Sequence, residues 1–239
     1  MLEERLIAGS HPRLDAFHSH LLDVAIERLA EPGVHLVASE RRARPNWGGY
    51  ITPVFALTSR GGGVISVRRD LLSMVRRELP ETTLGRPLGE NEFSRLRAIS
   101  QRAVPYAYCL NGLVLYVDEA RFKPAHLGAE HLRRSDPRGA DLRKRFDGEI
   151  FVVRGLREQI VAWSAIKLKA DDVWEIAVVT DQAYRGQGLA KRVVSAATAY
   201  IVENKRVPLY IHDRSNHASA SVCRSLGFME YAETFFCEY

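Results

Sequence analysis

Residues 178–190 read Val178-Val179-Thr180-Asp181-Gln182-Ala183-Tyr184-Arg185-Gly186-Gln187-Gly188-Leu189-Ala190. An apolar, β-branched run passes through a polar turn with two glycines and opens a helix whose apolar residues recur at Leu189, Val193, Ala197 and Ile201. A strand that turns through glycine into a helix presents free backbone N–H groups, with the positive end of the helix dipole behind them, to an anion. Glycines at 186 and 188 let a phosphate approach the main chain closely. The bland alternative is a glycine turn before an ordinary helix. A P-loop would need Gly-x-x-x-x-Gly-Lys-Ser/Thr, and no such run exists in the sequence. A dinucleotide fingerprint would need a third glycine where Lys191 stands. By residue chemistry alone the stretch is a diphosphate cradle of another kind.

Outward from the cradle, residues 112–239 alternate strand and helix patterns. GLVLYV (112–117) is a strand, and 126–146 carries one or two arginine-rich helices. EIFVVRG and QIVAWSAIKL form a hairpin, and VWEIAVVT leads into the cradle. PLYIH, a helix over NHASASVCRSL ended by Gly227 in the left-handed cap position, and a last strand complete the order β, α, β, β, β, α, β, α, β. Before residue 112, Leu14, Phe17, Leu21, Ala25 and Leu29 mark one face of a helix stopped by Pro32-Gly33. Strands at 34–39, 50–59 and 63–67, a helix near 68–79, a loop or linker over 80–91 and a helix over 92–103 follow.

Composition sets the outer bounds. The chain has 239 residues, 46% apolar and 26% charged, so it is globular and large enough for one big domain or two small ones. Its net charge of +5 is spread evenly: 15 basic against 12 acidic residues up to 112, and 19 against 17 after it. No basic arm argues for nucleic acid, and the arginine-rich stretch 133–145 reads as a solvated helix face. The greasy run 104–117 is broken by Pro105, Asn111 and Gly112, and the first ten residues lack a signal-peptide pattern, so a soluble cytoplasmic protein is expected. Cys109, Cys223 and Cys237 form no metal spacing, and so sparse a set suits a reducing compartment without disulfides. His18 and His20 are two apart on a helix and cannot share a metal; no metal is expected.

Two motifs carry a family resemblance. Arg185-x-x-Gly188-x-Ala190 resembles the acyl-CoA motif of the GNAT (general N-acetyltransferase) superfamily. Downstream, Asn216-x-x-Ser219, then Cys223 and Leu226-Gly227-Phe228, is similar in spacing to the second signature of that family. The resemblance implies an α/β protein: a GNAT (acyl-CoA N-acyltransferase) fold over residues 113–239, with an additional N-terminal α/β domain over 1–112 that is expected to help shape the acceptor site. It implies acetyl-CoA as acyl-donor cosubstrate and an amine acceptor, joined by direct transfer in a ternary complex. The strand before the cradle is then expected to splay from its neighbour, its backbone at Val178, Val179 and Thr180 meeting the pantetheine arm. Arg185, Gly186, Gln187, Gly188, Leu189, Ala190 and Lys191 would hold the pyrophosphate, and Asn216 and Ser219 the arm or its neighbouring backbone.

For the chemistry, the resemblance points to Glu175 as general base. It stands three residues before Val178 where the family's spacing is four, a shift that turns a strand residue to the other face unless a bulge absorbs it. His212 and Asp213, at the end of the next strand, are alternatives. Where the family often carries a tyrosine acid this chain has Cys223, which could donate a proton or merely pack; Tyr231 is another possible acid. The expected activity is acetyl transfer to the amine of a small molecule. A protein- or RNA-modifying acyltransferase and a catalytically silent acyl-CoA-binding sensor are the alternatives, and an oligomer is possible.

Overall fold

The computed structural model describes residues 11–59, 61–79, 88–125 and 128–239. Its backbone contacts divide into two compact units, one of Met1–Val114 with Glu230–Tyr239 and the other of Leu115–Met229. The last strand, part of the expected second segment 113–239, clusters with the first unit, where it pairs antiparallel to residues 54–58.

In the first unit, α1 (Pro12–Leu22) is followed by β1 (Gly33–Ala38), β2 (Val54–Thr58), β3 (Gly62–Val67), α2 (Leu72–Glu78), α3 (Glu90–Ala103) and β4 (Tyr108–Tyr116), with β10 (Met229–Glu238) returning at the end of the chain. The strands lie in the order β1-β3-β2-β10-β4. β1 runs parallel to β3, while β2 is antiparallel to both β3 and β10. Every residue of β2 and β3 is buried, which is why both read as short continuous apolar runs. Ile65, Val67, Phe93, Leu96, Ile99 and Phe235 centre the core, with the Phe93 and Phe235 rings stacked 5.7 Å apart.

Three expectations change here. The first helix ends at Leu22, about two turns before Leu29, because Asp23 adopts φ 63° and the following chain closes onto His20 and Ser19 carbonyls. Ile26–Leu29 then forms only a 3₁₀ turn. Of the expected loop over 80–91, residues 80–87 lie outside those described, and Glu90 already opens α3, with the Glu92 carboxylate accepting the Gly89 N–H at 2.8 Å. The absence of a disulfide is overturned: Cys109 and Cys237 are bonded, their Cα atoms 4.0 Å apart on the neighbouring strands β4 and β10. They are 128 residues apart in sequence, so no local spacing could announce the pair.

In the second unit the elements are β5 (Glu130–His131), α4 (Ala140–Arg145), β6 (Ile150–Arg154), β7 (Ile160–Leu168), β8 (Val173–Thr180), α5 (Leu189–Glu203), β9 (Val207–Asp213) and α6 (His217–Leu226). The strand order is β9-β8-β7-β6-β5. The arginine-rich stretch holds a two-residue strand and a six-residue helix rather than long helices, and residues 126–127 within it lie outside those described. Elsewhere the expected order stands, including the hairpin of β6 and β7 and the left-handed cap at Gly227 (φ 90°). α5 buries Leu189, Val193, Val194, Ala197 and Ile201, each such aliphatic contributing about 1.5–3 kcal/mol for full burial except the smaller alanine. No described helix is long and apolar enough to cross a membrane.

The disulfide gives a direct test. Denatured without reductant, the protein should show a single reactive thiol, that of Cys223, and three after reduction. Opening a loop of this length should lower Tm by roughly 5–15 °C. Three thiols before reduction would contradict the pairing.

Candidate active site

β8 is hydrogen-bonded along its whole length to β7, in unbroken antiparallel register from Leu168↔Trp174 to Ala162↔Thr180. On its other side it runs parallel to β9 for three residue pairs only, Val173↔Val207, Trp174↔Pro208 and Glu175↔Leu209. Beyond Glu175 that pairing stops, so Ile176, Ala177, Val178, Val179 and Thr180 keep one edge of main chain outside the ladder. A strand edge of this kind offers N–H and C=O groups to an extended ligand. Val179 is 46% exposed there, on a strand otherwise mostly covered.

The cradle continues from that edge. Asp181, Gln182 and Ala183 form a turn in which the Asp181 carboxylate accepts the Ala183 N–H at 3.3 Å. Arg185 is exposed, and its Nε donates to the Thr180 carbonyl at 3.4 Å. Gly186 (φ 77°) and Gly188 (φ 72°) both sit in the left-handed region, and a Cβ added to either would meet nothing within 4 Å. The glycines therefore serve backbone shape and leave open space above the turn. Gly188 is the N-cap of α5 and supplies no capping side chain; the first helical bond runs from Arg192 N–H to Gly188 O. The amides of Leu189, Ala190 and Lys191 thus lie outside the helical ladder, at the positive end of the α5 dipole. Gln187 is exposed beside them.

The two faces of β8 differ. Val178 packs with Leu189 and Val193, and the Trp174 ring stacks on Tyr200 at 6.3 Å, so α5 covers the face of Trp174, Ile176, Val178 and Thr180. Glu175, Ala177 and Val179 occupy the other face. No bulge turns Glu175 around, and the family's usual spacing falls instead on Trp174. Glu175 is buried, 2.7 Å from Lys167 Nζ and 3.1 Å from Lys169 Nζ. Burial alone would push its carboxyl up; the ammonium groups of Lys169 and Lys167 outweigh that and hold it below the ordinary range. Sequence reasoning missed these two lysines. The signal was present in the alternation Lys167-x-Lys169, which puts both on one face of the hairpin opposite Glu175.

On β9 the register Trp174↔Pro208 places Pro208, Tyr210 and His212 on the face that carries the helices. Tyr210 reaches Ser219 of α6 at 3.4 Å and packs edge-on against Phe228. Burial pushes the Tyr210 hydroxyl up, with Cys223 adding to the shift. Cys223 is fully buried, and burial pushes its thiol up to about 12. Asn216 is the N-cap of α6, its Oδ1 accepting the Ser219 N–H at 3.0 Å. Tyr231 belongs to the other unit, where its hydroxyl donates to Asp15 at 2.7 Å and its ring stacks on His18. The structure thus brings Val178–Thr180, the glycine turn and the α5 N-terminus into one continuous run. Glu175 lies at the start of that run but on the opposite face. Among the described residues no cluster of three His, Cys, Asp or Glu side chains is arranged to hold a metal.

An unpaired parallel strand edge leads here into a glycine-entered helix N-terminus without a side-chain cap, an arrangement of main-chain groups suited to an extended, anionic ligand. Residues 115–228 match the model of the Acetyltransferase (GNAT) family. No curated protein matches the chain. Among solved structures it is similar to a putative GNAT acetyltransferase from Novosphingobium aromaticivorans, at 23% identity and TM-score 0.46, over 55% of this chain and 65% of that one. It is also similar to a GCN5-related N-acetyltransferase from Kribbella flavida, at 18% identity and TM-score 0.43, over 60% and 63%. A GCN5-related N-acetyltransferase-like protein from Streptococcus suis matches at 16% identity and TM-score 0.49, over 77% and 82%. The match spans just under two thirds of the Novosphingobium and Kribbella chains.

The Glu175 ion pairs should show in stability. A carboxyl held low when folded stabilises the protein above its ordinary pKa of about 4.5, and that contribution disappears as pH falls through the lower folded value. Glu175→Gln should cost at most about 3 kcal/mol at neutral pH, the low end for a buried pair because Lys167 is partly exposed. Thermal unfolding of both proteins from neutral to acid pH should find their Tm values converging below about pH 4. A constant gap would mean that the carboxylate is not ion-paired.

Proposed function

We propose that this protein is an acetyl-CoA-dependent N-acetyltransferase, moving the acetyl group directly to the amine of a small-molecule acceptor. The observation that carries the reading is the end of β8–β9 pairing at Glu175↔Leu209, immediately before the glycine turn and the bare N-terminus of α5. Those parts fit an acyl-CoA in order: an extended pantetheine arm along Val178, Val179 and Thr180, and the pyrophosphate on the amides of 186–191, with Arg185 and Lys191 adding charge. In this reading an N–H from the parted strand stabilises the oxyanion that develops at the thioester carbon.

The side chains favour direct transfer. A buried thiol whose pKa is pushed up to about 12 is neither a ready nucleophile nor a ready acid at neutral pH, which supports a packing role for Cys223 rather than a covalent acyl step. Glu175 is ionised, yet two ammonium groups make it a poor proton acceptor. Its part in this reading is to fix the strand where the parting begins, with the amine losing its proton to water. Asn216 acts by capping α6 and so holding that helix beside β9. A cytoplasmic setting belongs to the reading, and the Cys109–Cys237 bond is the observation that weighs against it.

Acetyl-CoA should raise Tm, and free thiol should appear when an amine from a mixed panel is added. Binding without thiol release from any small amine would favour the silent sensor, and turnover only with protein or RNA would favour a macromolecular acceptor. Gly188→Glu sets a carboxylate against the pyrophosphate and forces a side chain into the left-handed region, so affinity should fall by on the order of 100-fold while circular dichroism stays unchanged. Cys223→Ala should change kcat by less than about tenfold, or ~1.4 kcal/mol of barrier. A loss of several hundredfold with unaltered cofactor affinity would assign the thiol a chemical role.

A further inference from the structure

Two buried polar side-chain atoms near the parted strands have no hydrogen-bond partner among the described residues: Thr180 Oγ1 and His212 Nε2. One stands on β8 and the other on β9, both beyond the last pair of the ladder. They lie on the same face, since Trp174 and Pro208 are register partners and both residues follow them at even steps. That is the face covered by α5, whose N-terminus is the cradle, and by α6.

His212 is only 4% exposed, so its orphan nitrogen does not answer to solvent. Its Nδ1 lies 2.8 Å from the Asp213 carbonyl, which can only accept; Nδ1 therefore carries the proton, and in the neutral ring Nε2 carries a lone pair. The same carbonyl accepts the Asn216 N–H at 2.9 Å, so the turn that caps α6 also fixes the imidazole. A buried hydrogen-bonding atom without a partner is costly and calls for an explanation. A general base for the amine is one, but Glu175 and the exposed Val179 mark the other face of the strand as the side away from the cradle.

We propose that His212 Nε2 and Thr180 Oγ1 are hydrogen-bonding contacts to the pantetheine arm of coenzyme A, the imidazole accepting from an amide N–H and the hydroxyl meeting an amide of the same arm. This rests on the acyl-CoA reading above and makes His212 a cofactor-binding residue in place of a proton acceptor for the amine. An arm with two amides needs partners of both kinds once it leaves water, and the two parted strands each supply one. The backbone edge of β8 alone would hold any extended chain; these side chains select one with amides at the right level.

The test is calorimetric titration of the full chain with coenzyme A and with adenosine 3′,5′-bisphosphate, which keeps the nucleotide end and lacks the arm. His212→Leu should weaken coenzyme A by about tenfold and leave the bisphosphate unchanged. His212→Gln, whose amide oxygen can take the place of Nε2, should stay within about threefold of the parent. Thr180→Val keeps shape and should show the same split between the two ligands, which keeps the proposal testable if the leucine variant does not fold. Equal coenzyme A affinity in His212→Leu and parent would overturn the proposal, as would equal losses for both ligands. A collapse of kcat in His212→Gln at unchanged coenzyme A affinity would make His212 the base and equally overturn it. If the parent itself binds no coenzyme A, the acyl-CoA reading fails first.

Discussion

Three residue pairs hold β8 to β9, and everything of functional interest in the second unit follows from where they stop. Had the ladder continued past Glu175↔Leu209, the N–H and C=O groups of 176, 178 and 180, which face away from β7, would be satisfied within the sheet and closed to a ligand. Because it stops, a row of main-chain groups faces a gap that the sheet does not fill, and the β9 side chains beyond Leu209 border the same gap. The antiparallel bond to β7 makes this tolerable: β8 stays in unbroken register on one side while it leaves its neighbour on the other. α5 adds the second anchor, since Val178 is fixed against Leu189 and Val193, the first turns of the helix that the glycine cradle opens.

Charge and burial divide the labour between the faces of that strand. On one face a carboxylate is balanced by Lys167 and Lys169, which holds it ionised in a place where burial would otherwise neutralise it. On the other, the helix dipole and the bare amides provide positive potential, with the side-chain charges of Arg185 and Lys191 beside them. Tyr210 and Cys223, both pushed up by burial, make the middle of the β9–α6 face apolar in effect. The buried Cys223 thiol is therefore no ready nucleophile near neutral pH, which is the physical basis for proposing direct transfer over a covalent acyl step.

What the sequence disclosed was whatever is local. The turn from strand to helix, the two glycines, the left-handed cap at Gly227 and the period of α5 are all set by neighbours within a few residues, and each appears in the structure as the spacing implied. What it hid was non-local or hinged on one dihedral. Asp23 ends α1 early although the apolar period runs on to Leu29, because a left-handed residue at the cap overrides a pattern that only packing could have sustained. Cys109 meets Cys237 because β10 pairs beside β4, a topology that no window of sequence contains. Glu175 was found by motif, yet its two lysine partners and its face depend on hairpin register. The orphan atoms of Thr180 and His212 are visible only once the neighbouring strands are known to part.

The central claim is that the parted edge of β8 receives an extended ligand in line with the α5 N-terminus. Amide hydrogen exchange, resolved by residue with and without saturating coenzyme A, tests it most directly. Ligand should slow exchange at Val178 and Thr180, whose N–H groups face the gap, and at the amides of 186–191, while β6, buried away from the gap, keeps its rates. Protection spread evenly over the sheet, or confined to residues outside both segments, would contradict the account.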